Sequence, residues 1–290
     1  MKCFYHNDMD GRCAGSIVNK YWLKAGKKLE DIYKTTKFIE VDYKDEIDVN
    51  SIETEENIII VDFSFKPEVM EKVLKKTNRI IWIDHHKTAD EYKYSQEIGG
   101  LRITKDKEFS GCELTWKYFY PDEEMPRSVK LIGDRDKWAW KMGEDTALFN
   151  LGLKLYPHQP WDKIWNELLS NSDKLYKIVM QGVTCVEFRD NFCKDYADSY
   201  GFETEFEGYK CFALGLYMFG SEAFGERFKK YDICLSFEFT GNNWIIGLYS
   251  EKVDVGVIAK KYGGGGHTGA AGFVCDTLPF KREIDNGNGK

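Results

Sequence analysis

"ENIIIVDFSF", residues 56–65, decides the fold. Ile58 to Val61 is an unbroken apolar run with Asp62 at its end. A half-buried strand alternates apolar and polar residues, so a run apolar at every position reads as a strand covered on both faces. The same pattern recurs in "RIIWIDHH", 79–86, which ends in an aspartate and two adjacent histidines. Upstream, "KCFYH" (2–6) and "KFIEVDY" (37–43) read as further strands. Between them, Ala14, Ile17, Val18 and Trp22 recur at helical spacing in a segment closed by Gly26. Pro67 opens another helix that runs to about Thr77. Strand and helix alternate, which predicts an α/β fold: a parallel sheet with helices on both sides.

From Ser110 to about Tyr200 the pattern turns helical: "SGCELTWKYFY" (110–120), "PRSVKLIGDRDKWAWK" (126–141), "PWDKIWNELL" (160–169) and a long run from Ser172. After Gly201, "YKCFALGLY", "DICLSFEFT" and "NWIIGLYS" read as strands, and "SEAFGERFKK" and "VDVGVIAKKY" as helices. The expected organisation is a parallel-sheet domain over 1–140, a helical connector over 141–203 and a smaller α/β domain over 204–280. The polar tail, "KREIDNGNGK" (281–290), is expected to be disordered.

The chain of 290 residues is 42% hydrophobic and 15% aromatic, enough for a sizeable core. No stretch approaches the roughly 20 apolar residues of a membrane span. "MKCFYHNDMDGRC" breaks into polar residues too early for a signal peptide. Eight cysteines without a CxxC pair indicate reduced, structural thiols and a cytoplasmic location. The net charge of -7 argues against a grip on long nucleic acid, which usually needs a basic surface. A phosphate-bearing ligand would then be short, or drawn in by a bound metal.

In an open parallel sheet, ligands bind beyond the carboxyl ends of the strands. Those ends carry His6, Asp8 and Asp10 in "HNDMDG", then Asp62, then Asp84, His85 and His86; "GDRDKW" adds Asp134 and Asp136. Adjacent strand residues point to opposite faces, so His85 and His86 cannot share one role. Crowded carboxylates repel one another, and a pair of divalent cations resolves the conflict. Mixed oxygen and nitrogen donors suit Mn²⁺ or a related first-row ion better than Ca²⁺. Two metals about 3.5–4 Å apart serve phosphoryl transfer. Single residues have plainer readings: Asp8 or Asp10 as the cap of the helix starting near Gly11, Asp62 as the start of the turn before Pro67. The fifth histidine, His158, reads as an ordinary loop residue.

"YGGGGHTGAAGF", 262–273, strips Cβ atoms from a run of backbone. The N–H groups of Gly264, Gly265 and Gly266 could form a nest for an anion, with His267 donating to a phosphate oxygen. The plainer reading is a flexible hinge. No GK[ST] follows, so this is not a Walker loop. Gly269, Ala270 and Ala271 leave room for a ligand or another chain, and a homodimer is among the partners allowed.

In order along the chain, "HNDMDG", "VDFS", "IDHHKT", "GDRDKW" and "GGGGHTGAAGF" resemble the motifs of the DHH phosphoesterases with the DHH-associated C-terminal domain, in the RecJ and nano-RNase-like branch. The resemblance implies a DHH catalytic domain joined by helices to a smaller substrate-binding domain. It implies one Mn²⁺ on His6, Asp8 and Asp62, and a second on Asp10, Asp62, His85 and Asp136, with Asp134 as the fallback and Asp62 bridging. Co²⁺ and Mg²⁺ are the alternative ions. His86 would face the scissile phosphate and Asp84 would support the metal shell. Where many relatives read "LRS", with an arginine toward substrate, this chain reads "LYS" with Tyr249; Tyr249 and Arg227 are candidate substrate contacts. The expected activity is hydrolysis of phosphodiester bonds in short oligoribonucleotides or small nucleotides by two-metal activation of water, with no long nucleic acid and no membrane as partner. The alternatives are a phosphatase of phosphoadenosine or another small phosphate ester, a cyclic-dinucleotide phosphodiesterase, and a non-enzymatic nucleotide sensor.

Overall fold

The computed structural model describes residues 1–24, 35–86, 88–103, 108–170 and 173–282. The expected helix stop at Gly26, the start of the long helix at Ser172 and most of the expected tail lie outside the described residues. The chain divides into two compact units, Met1–Cys185 and Val186–Lys290. The division falls within the helix Lys174–Tyr200.

In the first unit, β1 (Lys2–His6), β2 (Lys37–Val41), β3 (Ile58–Val61) and β4 (Ile80–Ile83) form a sheet in the order β2-β1-β3-β4. All three pairings are parallel. The apolar runs are explained by two cores, one on each face. Cys3, Tyr5, Ile59, Val61 and Ile83 pack with Ala14, Ile17 and Val18 of the helix Met9–Lys24 and with Leu114 and Leu131 from later helices. The alternate residues Phe4, Ile58, Ile60, Ile80 and Trp82 pack with Met70 and Val73 of the helix Pro67–Leu74. Pro67 begins that helix as its sequence predicts.

The register decides what converges. Tyr5 lies opposite Val61, and Val61 opposite Ile83. The next residue of each strand is His6, Asp62 and Asp84, in one row at the carboxyl edge. The chain turns back between β1 and β3, since β2 lies on one side of β1 and β3 on the other. That is the switch point where open parallel sheets bind ligands.

Two expected helices stop early. The one read over 126–141 ends at Asp136, because the buried Asp134 carboxylate accepts the N–H groups of Lys141 and Met142 and draws the chain back on itself. Trp138 and Trp140 follow with φ of 56° and 54°. Such backbone costs a bulky residue about 1–3 kcal/mol. The stretch 221–230 is divided at Gly225, φ 52°, into the 3-10 turn Gly220–Phe224 and the helix Arg227–Lys230.

The second unit holds a six-stranded sheet in the order β5-β6-β7-β8-β10-β9: β5 (Phe202–Phe206), β6 (Tyr209–Leu214), β7 (Ile233–Phe239), β8 (Trp244–Tyr249), β9 (Gly265–His267) and β10 (Ala270–Cys275). Only β6 and β7 pair in parallel. Leu235, Ile246, Leu248 and Phe273 form its core with Val255 and Ile258 of the helix Val255–Lys261. β5 has no counterpart in the sequence reading, yet "FETEF" alternates and Glu207-Gly208, φ 54° and 79°, supply a tight hairpin turn. All eight cysteines are free thiols. Among the described residues no helix is long and apolar enough to cross a membrane.

Candidate metal centre

Asp62 is the hub of the row at the sheet edge. It is fully buried, with φ of 56°, a region that aspartate tolerates better than most residues. Its Oδ1 lies 3.2 Å from His85 Nε2, and its Oδ2 lies 3.8 Å from His6 Nδ1. Around it the candidate donors form overlapping groups: His6, Asp8 and Asp62; Asp10, His85 and Asp136; and Asp62, His85 and His86. Within each group the donor atoms lie within 4.8 Å of one another. Each of the three could hold a divalent ion.

The neighbours of Asp62 are set by local chain chemistry. Asp8 accepts Gly11 N–H at 2.8 Å and so caps the helix Met9–Lys24, while its other oxygen sits 3.0 Å from His6 Nδ1. The capping and ligand readings of Asp8 are therefore compatible. Asp10 points instead to the start of the helix Gly111–Phe119, where it accepts from Ser110 Oγ at 2.8 Å and Cys112 N at 3.2 Å. Its Oδ2 lies 3.9 Å from His85 Nε2. Gly111 has to be glycine, because a Cβ there would collide with the Asp62 carboxylate.

Asp134 and Asp136 are two residues apart with different surroundings. Asp134 accepts from Lys141 N, Met142 N and Thr146 Oγ1. Burial alone would raise its pKa, but these donors outweigh it and hold the carboxyl below the usual range. Asp136 Oδ2 has no hydrogen-bond partner and lies 3.4 Å from His85 Nε2. His85 and His86 also divide. His85 Nε2 faces Asp62, Asp10 and Asp136. His86 Nδ1 lies 2.8 Å from Asp84 Oδ1, an oxygen that also accepts both backbone N–H groups of the pair. Ser64 Oγ donates to the other Asp84 oxygen. Asp84 is thus a clamp on the Asp-His-His turn and on the His86 ring.

The electrostatics test whether cations fit. Burial, and then the charges of Asp10, Asp8, Asp136 and Asp84, push the Asp62 pKa well above the carboxylate range. Burial, with Asp10 and Asp8, does the same to Asp136. Burial lowers His85, which keeps it neutral as a ligand must be. For His86, burial is outweighed by Asp84, and its pKa rises. Asp8 is held at about 2, the His6 contact and Gly11 N–H outweighing burial. His6 Nδ1, both oxygens of Asp62, His85 Nε2 and Asp136 Oδ2 are buried without a hydrogen-bond partner. Each orphaned polar atom costs about 1–3 kcal/mol. Ligation of divalent cations would satisfy all five, so the donor set fits.

The remaining candidates lie in the second unit. Gly264 N–H donates to Ala259 O and Gly263 N–H to Lys260 O, closing the helix Val255–Lys261. Gly264 therefore offers no free N–H to a nest. Gly265, Gly266 and His267 form β9, paired with Gly272, Ala271 and Ala270. His267 is exposed. Tyr249 is packed, its ring 6.0 Å from that of Phe224. Arg227 pairs with Asp198 and lies 5.1 Å from the Phe212 ring centroid.

Sequence reading missed Ser110, Gly111 and the backbone of Cys112, which the site uses to seat Asp10 and Asp62. It also missed Tyr43, whose ring lies 5.6 Å from His6 and 5.9 Å from His86. The available signal was the Ser-Gly pair opening a helix three positions before Glu113, a capping pattern in which Ser110 N–H donates to Glu113 at 2.8 Å.

Residues 3–133 match the family described as DHH family, N-terminal domain. The chain is 26% identical over 251 residues, 80% of its length, to "Uncharacterized protein R106" of Acanthamoeba polyphaga mimivirus. It spans 57% of that relative's length. Its fold is similar to that of a structure described as "Member of s1p family of ribosomal proteins PF0399 DHH domain", with a TM-score of 0.63, 14% identity and coverage of 94% of this chain and 82% of the other. RecJ of Thermus thermophilus in complex with Mn²⁺ aligns with a TM-score of 0.50 and 11% identity, covering 95% of this chain and 49% of the other.

Proposed function

Because residues 3–133 match the N-terminal domain of the DHH family, we propose that this chain is a divalent-metal-dependent phosphoesterase that hydrolyses phosphodiester bonds of short oligoribonucleotides or small nucleotides. The observation that carries this reading is Asp62: buried, both oxygens without partners, each facing a separate histidine. His6, Asp8 and Asp62 would hold one ion; Asp10, Asp62, His85 and Asp136 would hold the other. RecJ of similar fold was solved with Mn²⁺, which makes manganese the first ion to test. When bound, such ions neutralise the carboxylates, bind phosphoryl oxygens and lower the pKa of water.

The chain's own residues do the rest. Asp84 holds His86 Nδ1, which fixes the ring and favours its protonated form. His86 Nε2 can then donate to a phosphoryl or leaving oxygen. Asp8 and Asp10, each anchored by backbone N–H groups, keep their carboxylates aimed inward. Residues 1–140 would be the catalytic part and 204–280 the substrate-binding part, with Gly265, Gly266 and His267 contacting substrate phosphate. The net charge of -7 favours a short substrate over long nucleic acid.

The test is chromatography of products from a 5′-labelled RNA dinucleotide, a cyclic dinucleotide and a phosphoadenosine, each incubated with Mn²⁺. Mononucleotide release from the dinucleotide is expected. Release of phosphate from phosphoadenosine alone would replace the phosphodiesterase reading with a phosphatase. No turnover of any of the three would overturn the proposal.

A further inference from the structure

The loop after Asp136 has features that neither the fold nor the metal centre requires. Trp138 and Trp140 both sit at positive φ, 56° and 54°, where a large aromatic residue is an outlier. Strain of this kind persists only when its surroundings impose it. Here they do: Asp134 accepts Lys141 N, Met142 N and Thr146 Oγ1, and Ala139 N–H donates to Asp134 O at 2.9 Å. Lys137, next to Trp138, is pinned by an ion pair with Glu113. The loop is rigid by construction.

Core packing does not account for Trp138, which remains 52% exposed. A strained, braced and exposed indole is a surface presented to something. The Arg135 guanidinium lies 3.9 Å from the Trp138 ring centroid and 5.2 Å from that of Trp140. The two indoles meet edge to face at 5.2 Å. Arg135 and Trp140 thus fix the plane of Trp138. Asp136 is two residues away, so the two Cα atoms lie within about 7 Å. A nucleotide joins a planar group to a phosphate, and Trp138 follows the candidate donor Asp136 by two residues.

We propose that Trp138, oriented by Arg135 and Trp140, is the stacking subsite for the substrate's nucleobase. This rests on the phosphoesterase reading and narrows its substrates to base-bearing nucleotides, setting aside base-free phosphate esters and polyphosphates. Every base has a π-face, so such a platform tolerates any sequence.

Two measurements test it, one independent of metal and turnover. In metal-free protein, adenosine should quench tryptophan fluorescence excited at 295 nm where ribose does not, and Trp138→Ala should remove that quenching with an unchanged melting temperature. Quenching that persists undiminished in Trp138→Ala overturns the assignment, as does its absence in the wild type. With Mn²⁺, Trp138→Ala should raise KM for an RNA dinucleotide about tenfold with kcat little changed. Trp138→Phe should recover most of that loss, and Mn²⁺ affinity, read by calorimetry, should be equal in all three proteins. A parallel loss of Mn²⁺ affinity in Trp138→Ala, or no change in KM, overturns the subsite. A wild type that hydrolyses nothing defeats the phosphoesterase reading alone, since the adenosine experiment still decides the role of Trp138.

Discussion

The rim of the parallel sheet and the glycine hairpin of the second unit both stand out in the sequence, and they differ in what they lack. At the rim, five buried polar atoms of His6, Asp62, His85 and Asp136 have no hydrogen-bond partner. In the hairpin the glycines serve the backbone itself. Gly263 and Gly264 close a helix, and Gly266, at φ 140°, turns where a Cβ would strike Ala271. A run of glycines can be complete as architecture, whereas a buried cluster of carboxylates and imidazoles is incomplete until something charged joins it. Incompleteness is the better pointer to a ligand.

The largest test of that contrast is Asp62→Asn. It should lower hydrolysis on the order of a thousandfold or more. It removes a buried carboxyl whose oxygens have no partner and whose ionisation the neighbouring acids oppose, so the melting temperature of metal-free protein should hold or rise. A large fall would make the rim a structural ion-pair network. Next, Mn²⁺ at a hundred times its dissociation constant should stabilise the wild type by about 2.7 kcal/mol, measured by denaturant melts. Asp62→Asn should lose that gain, whereas Gly266→Ala should keep it. If Gly266→Ala also loses it, the two regions are not independent.

Gly111→Ala and Gly266→Ala should each destabilise by about 1–3 kcal/mol, the first by overpacking against Asp62 and the second by backbone strain. Only the first should also weaken metal binding, which calorimetry separates. The smallest effect belongs to Glu56, an ordinary satisfied carboxylate beside the buried Lys2 and the N-terminus. Burial raises its pKa, but the Lys2 bond, the Glu53 N–H and the N-terminus outweigh this and hold it below the usual value. A depressed carboxyl stabilises the fold above its unfolded pKa, and the stabilisation vanishes as pH falls through the folded value. Glu56→Gln should therefore cost about 1 kcal/mol at neutral pH and nothing in acid, read from melting temperatures across pH.

Much of this was legible in the sequence. The apolar runs at Ile58–Val61 and Ile80–Ile83 announced strands covered on both faces, and the two cores on opposite faces of the sheet are the reason those runs are unbroken. The strand ends named His6, Asp62, Asp84, His85 and His86 before any contact was visible. The helix read through Lys141 was wrong past Asp136, because helical periodicity says nothing of the buried Asp134 carboxylate that captures N–H groups seven and eight residues later. β5 escaped because its hairpin turn is Glu-Gly, a weaker signal than Asn-Gly.

The sequence by itself determined the α/β class, the elements that carry the acids and imidazoles, and the chemistry those side chains share. Each follows from local pattern, since burial and strand ends are written residue by residue. Only the tertiary structure decided that Asp136 faces His85 while Asp134 braces a loop, that Asp10 sits on a helix beginning a hundred residues later, and that Gly111 makes room for Asp62. Those outcomes depend on sheet register and helix packing, which join segments far apart in the chain and leave no periodic trace in either.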